Sequence, residues 1–114
     1  MAYLTEKIGD VVVVIPEGML KGDSETTRVE SELRRHLQGG QVKILLDLRK
    51  TTHLNSLAIG MIAGVHTSAI NRAARFAVCN IERRIHNTLT VVQLINILEV
   101  HDTREQALAA FATA

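Results

Sequence analysis

KILLDLRKTTHLNSLAIGMI, residues 43–62, changes its hydrophobic period in mid-course. Val42 to Leu48 is mostly apolar, too short for a helix and rich in branched side chains, which predicts a central strand. A short polar loop then leads to Leu54. From Ser56 to about Arg72 the apolar residues fall at helical spacing, with Leu57, Met61, Val65 and Ala69 on one line and Ala58 and Ile62 beside it. Strand, loop and helix in this order place Asn55 and Ser56 at the mouth of an α/β unit, where open-sheet proteins hold their functional loops. Either Asn55 or Ser56 serves as N-cap, its side chain accepting a bond from an early helical N–H.

The flanking sequence repeats the alternation. Val11 to Ile15 is a β-branched run stopped by Pro16, a strand buried on both faces, and Tyr3 to Ile8 pairs with it across Gly9-Asp10 as a hairpin. After a loop from Gly18 to Gly22, Asp23 or Ser24 caps a helix to about Leu37, with Val29, Leu33 and Leu37 inward. Phe76 to Asn80 reads as a third core strand, Glu82 to about Val92 as a helix, and Ile97 to Val100 as the last strand. Thr103 and Gln106 form a capping box for a final helix that turns Ala107, Leu108 and Phe111 inward. The expected fold is a single α/β domain over residues 1–114, with a mixed sheet of about five strands and about four helices, on one face or on both.

The composition narrows the function. The 114 residues are 46% hydrophobic, 22% charged and 3% aromatic, which describes one aliphatic core. A net charge of +1 and three aromatic rings, Tyr3, Phe76 and Phe111, give little to attract or stack nucleic acid, so no nucleic-acid partner is expected. The longest run free of polar side chains, Leu57 to Val65, is far short of the roughly 20 residues that cross a bilayer, so no membrane insertion is expected. The opening MAYLTEKIGD lacks the pattern of a secretory signal, and the single cysteine cannot form an internal disulfide; a cytoplasmic location follows as the expectation.

Catalytic chemistry finds no constellation. There is no phosphate-binding glycine loop, no Cys-x-x-Cys and no His-Glu-x-x-His, and His36, His53, His66, His86 and His101 never stand at i and i+4 on one helix. No catalytic residue, metal or cofactor is therefore assigned, and an enzyme is not expected. Cys79 falls within a core strand, where a thiol packs as a small hydrophobe. The basic pairs Arg49-Lys50 and Arg83-Arg84 read as solvated ends of elements. Gly60 and Gly64 each cost a helix about 1 kcal/mol against alanine, which close packing on the sheet or a flat surface for another protein would explain.

On these residues the chain resembles the STAS domains, the family named for sulphate transporters and anti-sigma factor antagonists. The likeness lies in the strand Val11 to Ile15 followed by Gly18-Met19-Leu20, in residues 43–62, and in the ending LINILEVHDTREQAL. Residues 43–62 are similar to the family's strand, Asp-Leu, loop and Asp/Asn-Ser-Ser/Thr-Gly-Leu-Gly. The resemblance implies a regulatory module that binds an anti-sigma factor or switch kinase through Gly18, Leu20, Asp23, Asn55, Ser56, Leu57 and Gly60. It aligns Asn55 with the Asp/Asn, Ser56 with the first serine, Ala58 with the glycine, Ile59 with the leucine and Gly60 with the last glycine. Leu57 takes the place of the usual phosphoacceptor. Two readings follow: Ser56 is the phosphorylated hydroxyl, as in stressosome-type relatives, or the domain binds constitutively and Ser56 stays unmodified. Leu57 itself is either an apolar anchor for the partner or part of the core. The alternatives to anti-sigma antagonism are an accessory subunit of an ABC lipid transport system and a stressosome-like scaffold, and the resemblance leaves room for a homodimer.

Overall fold

A computed structural model describes residues 3–82 and 96–112 of the chain. The elements are β1 (Tyr3–Ile8), β2 (Val11–Pro16), β3 (Gly18–Leu20), α1 (Ser24–Gln38), β4 (Lys43–Asp47), β5 (Thr51–Leu54), α2 (Ser56–Asn71), β6 (Arg75–Cys79), β7 (Glu99–His101) and α3 (Arg104–Ala112). Among the described residues the main sheet runs β1-β2-β4-β6-β7, with β1 antiparallel to β2 and the other pairs parallel. The sheet is therefore mixed and five-stranded, as the pattern predicts. Three helices are described rather than about four. The helix expected from Glu82 to about Val92 lies, beyond Glu82, outside the described residues.

Alternation along the strands decides where the helices pack. Val12, Val14, Ile44, Leu46, Phe76 and Val78 point to one face, where Val29, Leu33 and Leu37 of α1 and Met61, Val65 and Ala69 of α2 close the larger core. Val11, Val13, Ile15, Leu45, Ala77 and Cys79 point to the other, under Ala107 and Phe111 of α3. Helices thus cover both faces, which is why β2 is an unbroken apolar run with every residue buried. Arg75 fastens α3 from the sheet side. Its guanidinium pairs with Glu99 at 2.7 Å, donates to the Ala110 carbonyl at 3.0 Å and lies 4.9 Å from the centre of the Phe111 ring.

Four local expectations change. Gly18–Leu20 and Thr51–Leu54, expected as loops, pair in parallel as a separate two-stranded ribbon. The last strand begins at Glu99, leaving Ile97 in a turn and 64% exposed. β6 ends at Cys79, because Asn80 adopts φ +58° and turns the chain out of the sheet. Gly60 does not pack on the sheet: it faces solvent with nothing where a Cβ would stand, whereas at Gly64 a Cβ would lie 3.2 Å from Nη2 of Arg34 on α1. The second glycine serves the contact between helices, and the first leaves open surface.

Candidate functional site

The β3–β5 ribbon sits where β2 and β4 leave the main sheet, directly before the two helices on that face. Gly18 adopts φ +84° and donates its N–H to the Lys50 carbonyl at 2.9 Å, so β3 is hung on the turn that leads into β5. That turn is shaped by Asp47, whose Oδ1 accepts from the Arg49 N–H at 3.0 Å, and closed by the Thr51 N–H on the Leu48 carbonyl at 3.0 Å. Leu20 and Thr51 are buried under the ribbon, while Met19, 47% exposed, and its register partner His53 face outward.

Asn55 is the N-cap of α2. Its Oδ1 accepts from the Ala58 N–H at 3.1 Å, its Nδ2 donates to the Lys21 carbonyl at 2.8 Å, and its own N–H donates to the Leu20 carbonyl at 3.2 Å. One residue thus starts the helix and ties it to the segment after β3. Ser56 follows at the first helical position, exposed, and its hydroxyl has no partner among the described residues.

Leu57 leaves the apolar line on which spacing places it. Met61, Val65 and Ala69 are buried, but Leu57 is 66% exposed. The first turn of α2 overhangs the edge of the core, and Leu57 rests there on the backbone of Gly22. A Cβ added to Gly22 would stand 2.6 Å from both Cβ and Cδ1 of Leu57, and Gly22 has φ +87°, so backbone conformation and close approach both require glycine.

The remaining expected positions divide. Leu20 is wholly buried and serves this surface through its carbonyl; Asp23 caps α1, accepting from the Thr26 N–H at 3.3 Å; Gly60 lies exposed one turn beyond Ser56. The structure adds Met19, Lys21, Arg49, Lys50 and His53, all exposed around the same ribbon. Their signal in the sequence was faint, because strands of three and four residues are too short to show a period.

Elsewhere the chemistry is quiet. Cys79 is buried, and burial first, then the neighbouring Asp47 carboxylate, pushes its thiol up to about 12. Among the described residues no three His, Cys, Asp or Glu side chains are grouped to hold a metal ion, and no helix is long and apolar enough to cross a membrane.

Comparison with known proteins follows the same outline. The family profile described as STAS domain matches residues 3–107. A Bordetella bronchiseptica protein named as a candidate anti-sigma factor antagonist, BtrV, is 21% identical over 114 residues, all of this chain and 97% of the relative. The crystal structure of a candidate anti-sigma factor antagonist from Thermotoga maritima superposes with a TM-score of 0.85 at 21% identity, over 95% of this chain and 92% of that one. The phosphorylated form of the Bacillus cell fate determinant SpoIIAA gives 0.76 at 16% identity, over 96% and 99%. At such identities the two structures establish a shared fold.

Proposed function

The chain belongs to the STAS domain family, and from that premise we propose that it is a regulatory binding module which docks on an anti-sigma factor or switch kinase. The docking face is the β3–β5 ribbon with the start of α2: Met19, Gly22, His53, Ser56, Leu57 and Gly60. The mechanism is competition, since an occupied anti-sigma factor releases its sigma factor. Relatives named for anti-sigma antagonism support this reading over a transport or scaffold role.

One observation carries the proposal. Asn55 caps α2 alone, so neither the Ser56 hydroxyl nor the exposed Leu57 side chain is needed to start the helix. In this reading Leu57 is the apolar anchor and Ser56 the switch. A phosphate on Ser56 adds about −1.5 to −2 charges at a helix start that has no acidic residue in its first turn, so the fold tolerates it while the docking face changes sign.

Intact-mass and phosphopeptide mapping of the protein from its native host, before and after phosphatase, tests the switch; a Ser56 phosphate supports it, and an unmodified chain at rest and under stress leaves a constitutive binder. Affinity capture with wild type, Leu57→Ala and Ser56→Asp tests the docking. The expected catch is a histidine-kinase-like ATPase held by wild type alone. Capture of a membrane permease with its ATPase, insensitive to Leu57, overturns the reading.

A further inference from the structure

Arg104 opens α3 on the face of the sheet away from α1 and α2, yet its guanidinium reaches the end of β4. There Asp47 is fully buried and its two oxygens differ. Oδ1 accepts from the Arg49 N–H at 3.0 Å and from Asn80 Nδ2 at 2.9 Å. Oδ2 receives no hydrogen bond among the described residues; Arg104 Nε stands 3.4 Å away, equally without one, and Arg49 Nε 3.7 Å away. Arg104 is drawn aside by Glu6, whose Oε2 accepts from Nη2 at 2.8 Å. Two arginines, one from α3 and one from the β4–β5 turn, therefore address the same oxygen.

A buried carboxylate oxygen left without a donor is costly, so whichever guanidinium closes on it is held there. The two arginines are not equivalent in consequence. Arg104 is mostly buried, whereas Arg49 is 42% exposed on the turn that carries β3 and β5. From Arg49 the links run through Asp47 Oδ1, then the Lys50 carbonyl and the Gly18 N–H, into the strand that presents Met19.

We propose that Arg104 is a positioning residue for the docking face: by pairing with Asp47 Oδ2 at 3.4 Å from the α3 side, without closing a hydrogen bond, it competes with Arg49 for that oxygen and so limits the oxygen's hold on the Arg49 guanidinium, which projects beside the β3–β5 ribbon to meet a carboxylate of the partner. The inference rests on the docking reading above. Lys21, Lys50 and His53 are exposed on the segments that carry Met19 and lead to Leu57, while the residues Glu17, Asp23 and Glu25 are half-buried, so the face suits an acidic rim around an apolar pocket.

The test uses the ¹⁵N-labelled full chain without any partner, reading solvent exchange of the Arg49 Nε–H and the amide shifts of Gly18, Met19 and Thr51. Arg104→Met is expected to slow the Arg49 Nε–H exchange by about tenfold, as Arg49 closes on Asp47, and to move the three amides. Arg104→Lys, which keeps the charge, restores the wild-type pattern. Glu6→Gln changes only a partly exposed group and frees Arg104 to turn toward Asp47, so Arg49 exchange accelerates instead. Loss of protection confined to Ala107 and Leu108, with Arg49 and the three amides unmoved, overturns the proposal, and an unresponsive Arg49 in Glu6→Gln does so even if Arg104→Met fails to fold. Because no partner enters, this failure leaves the docking reading standing, and failure of the docking reading leaves these exchange rates as they are.

Discussion

α1 and α2 begin alike and are used differently. Each follows a strand of the small ribbon, and each is capped by a side-chain oxygen, Asp23 for α1 and Asn55 for α2. At α1 the two threonines of the first turn are engaged, although Ser24 stands exposed as Ser56 does: the Thr26 hydroxyl, buried, accepts from the Gly22 N–H at 2.9 Å, the Thr27 hydroxyl donates to the Asp23 carbonyl at 3.2 Å, and Glu25 complements the helix dipole. At α2 the cap works alone, no acid follows it, and the next two side chains, Ser56 and Leu57, stand in solvent. α1 also carries the buried Glu32, whereas α2 has no Asp, Glu, Lys or Arg anywhere. The first turn of α1 is held by its threonines and its acid, whereas the first turn of α2, whose apolar body anchors the helix, leaves Ser56 and Leu57 exposed.

The contrast is broken most severely at Gly22, where the two helix starts touch. Gly22→Val forces a side chain into a left-handed conformation and against Leu57, and is expected to cost about 3 kcal/mol in urea unfolding. Combining it with Leu57→Ala recovers only part of that, because the Leu57 Cβ that meets the new side chain remains. Next, Thr26→Val leaves the Gly22 N–H without its acceptor and is expected to cost about 2 kcal/mol, whereas Ser56→Ala, at the matching open end, stays within about 0.5 kcal/mol of wild type. Equal losses for the two hydroxyls would dissolve the comparison.

A weaker, pH-dependent difference belongs to α1. Burial by itself raises the Glu32 pKa, but hydrogen bonds from His36, Thr5 and Arg35 outweigh it and hold the carboxyl below its ordinary value. With a folded pKa below the unfolded one, the stabilisation is full at neutral pH and is lost as pH falls through the folded value. The urea midpoint is expected to decline on that acid limb, and Glu32→Gln to flatten the decline. An unchanged limb in Glu32→Gln would remove Glu32 from the account.

The strong periods of the chain reported their structures directly. β2, β4, β6, α1 and α2 were legible within a residue or two, since each buries a whole side or a helical stripe and must be apolar at fixed spacing. The site was legible only in part. Asn55, Ser56 and Leu57 stood out by position, but the cap between two candidates, and the exposure of a leucine in register with Met61 and Val65, depend on where the helix overhangs the core. Met19 and His53 were invisible as a pair, because β3 and β5 lie 30 residues apart and neither is long enough to show alternation.

The amino-acid sequence by itself therefore determined the alternation of strands and helices, the aliphatic core and the segment that opens α2, since all three rest on local period and composition. Tertiary structure alone decided that helices cover both faces, that Leu57 leaves the core to rest on Gly22, and that Asp47 stands between two arginines. Each of these is a contact between distant segments, and its energy depends on distances that no local spacing encodes.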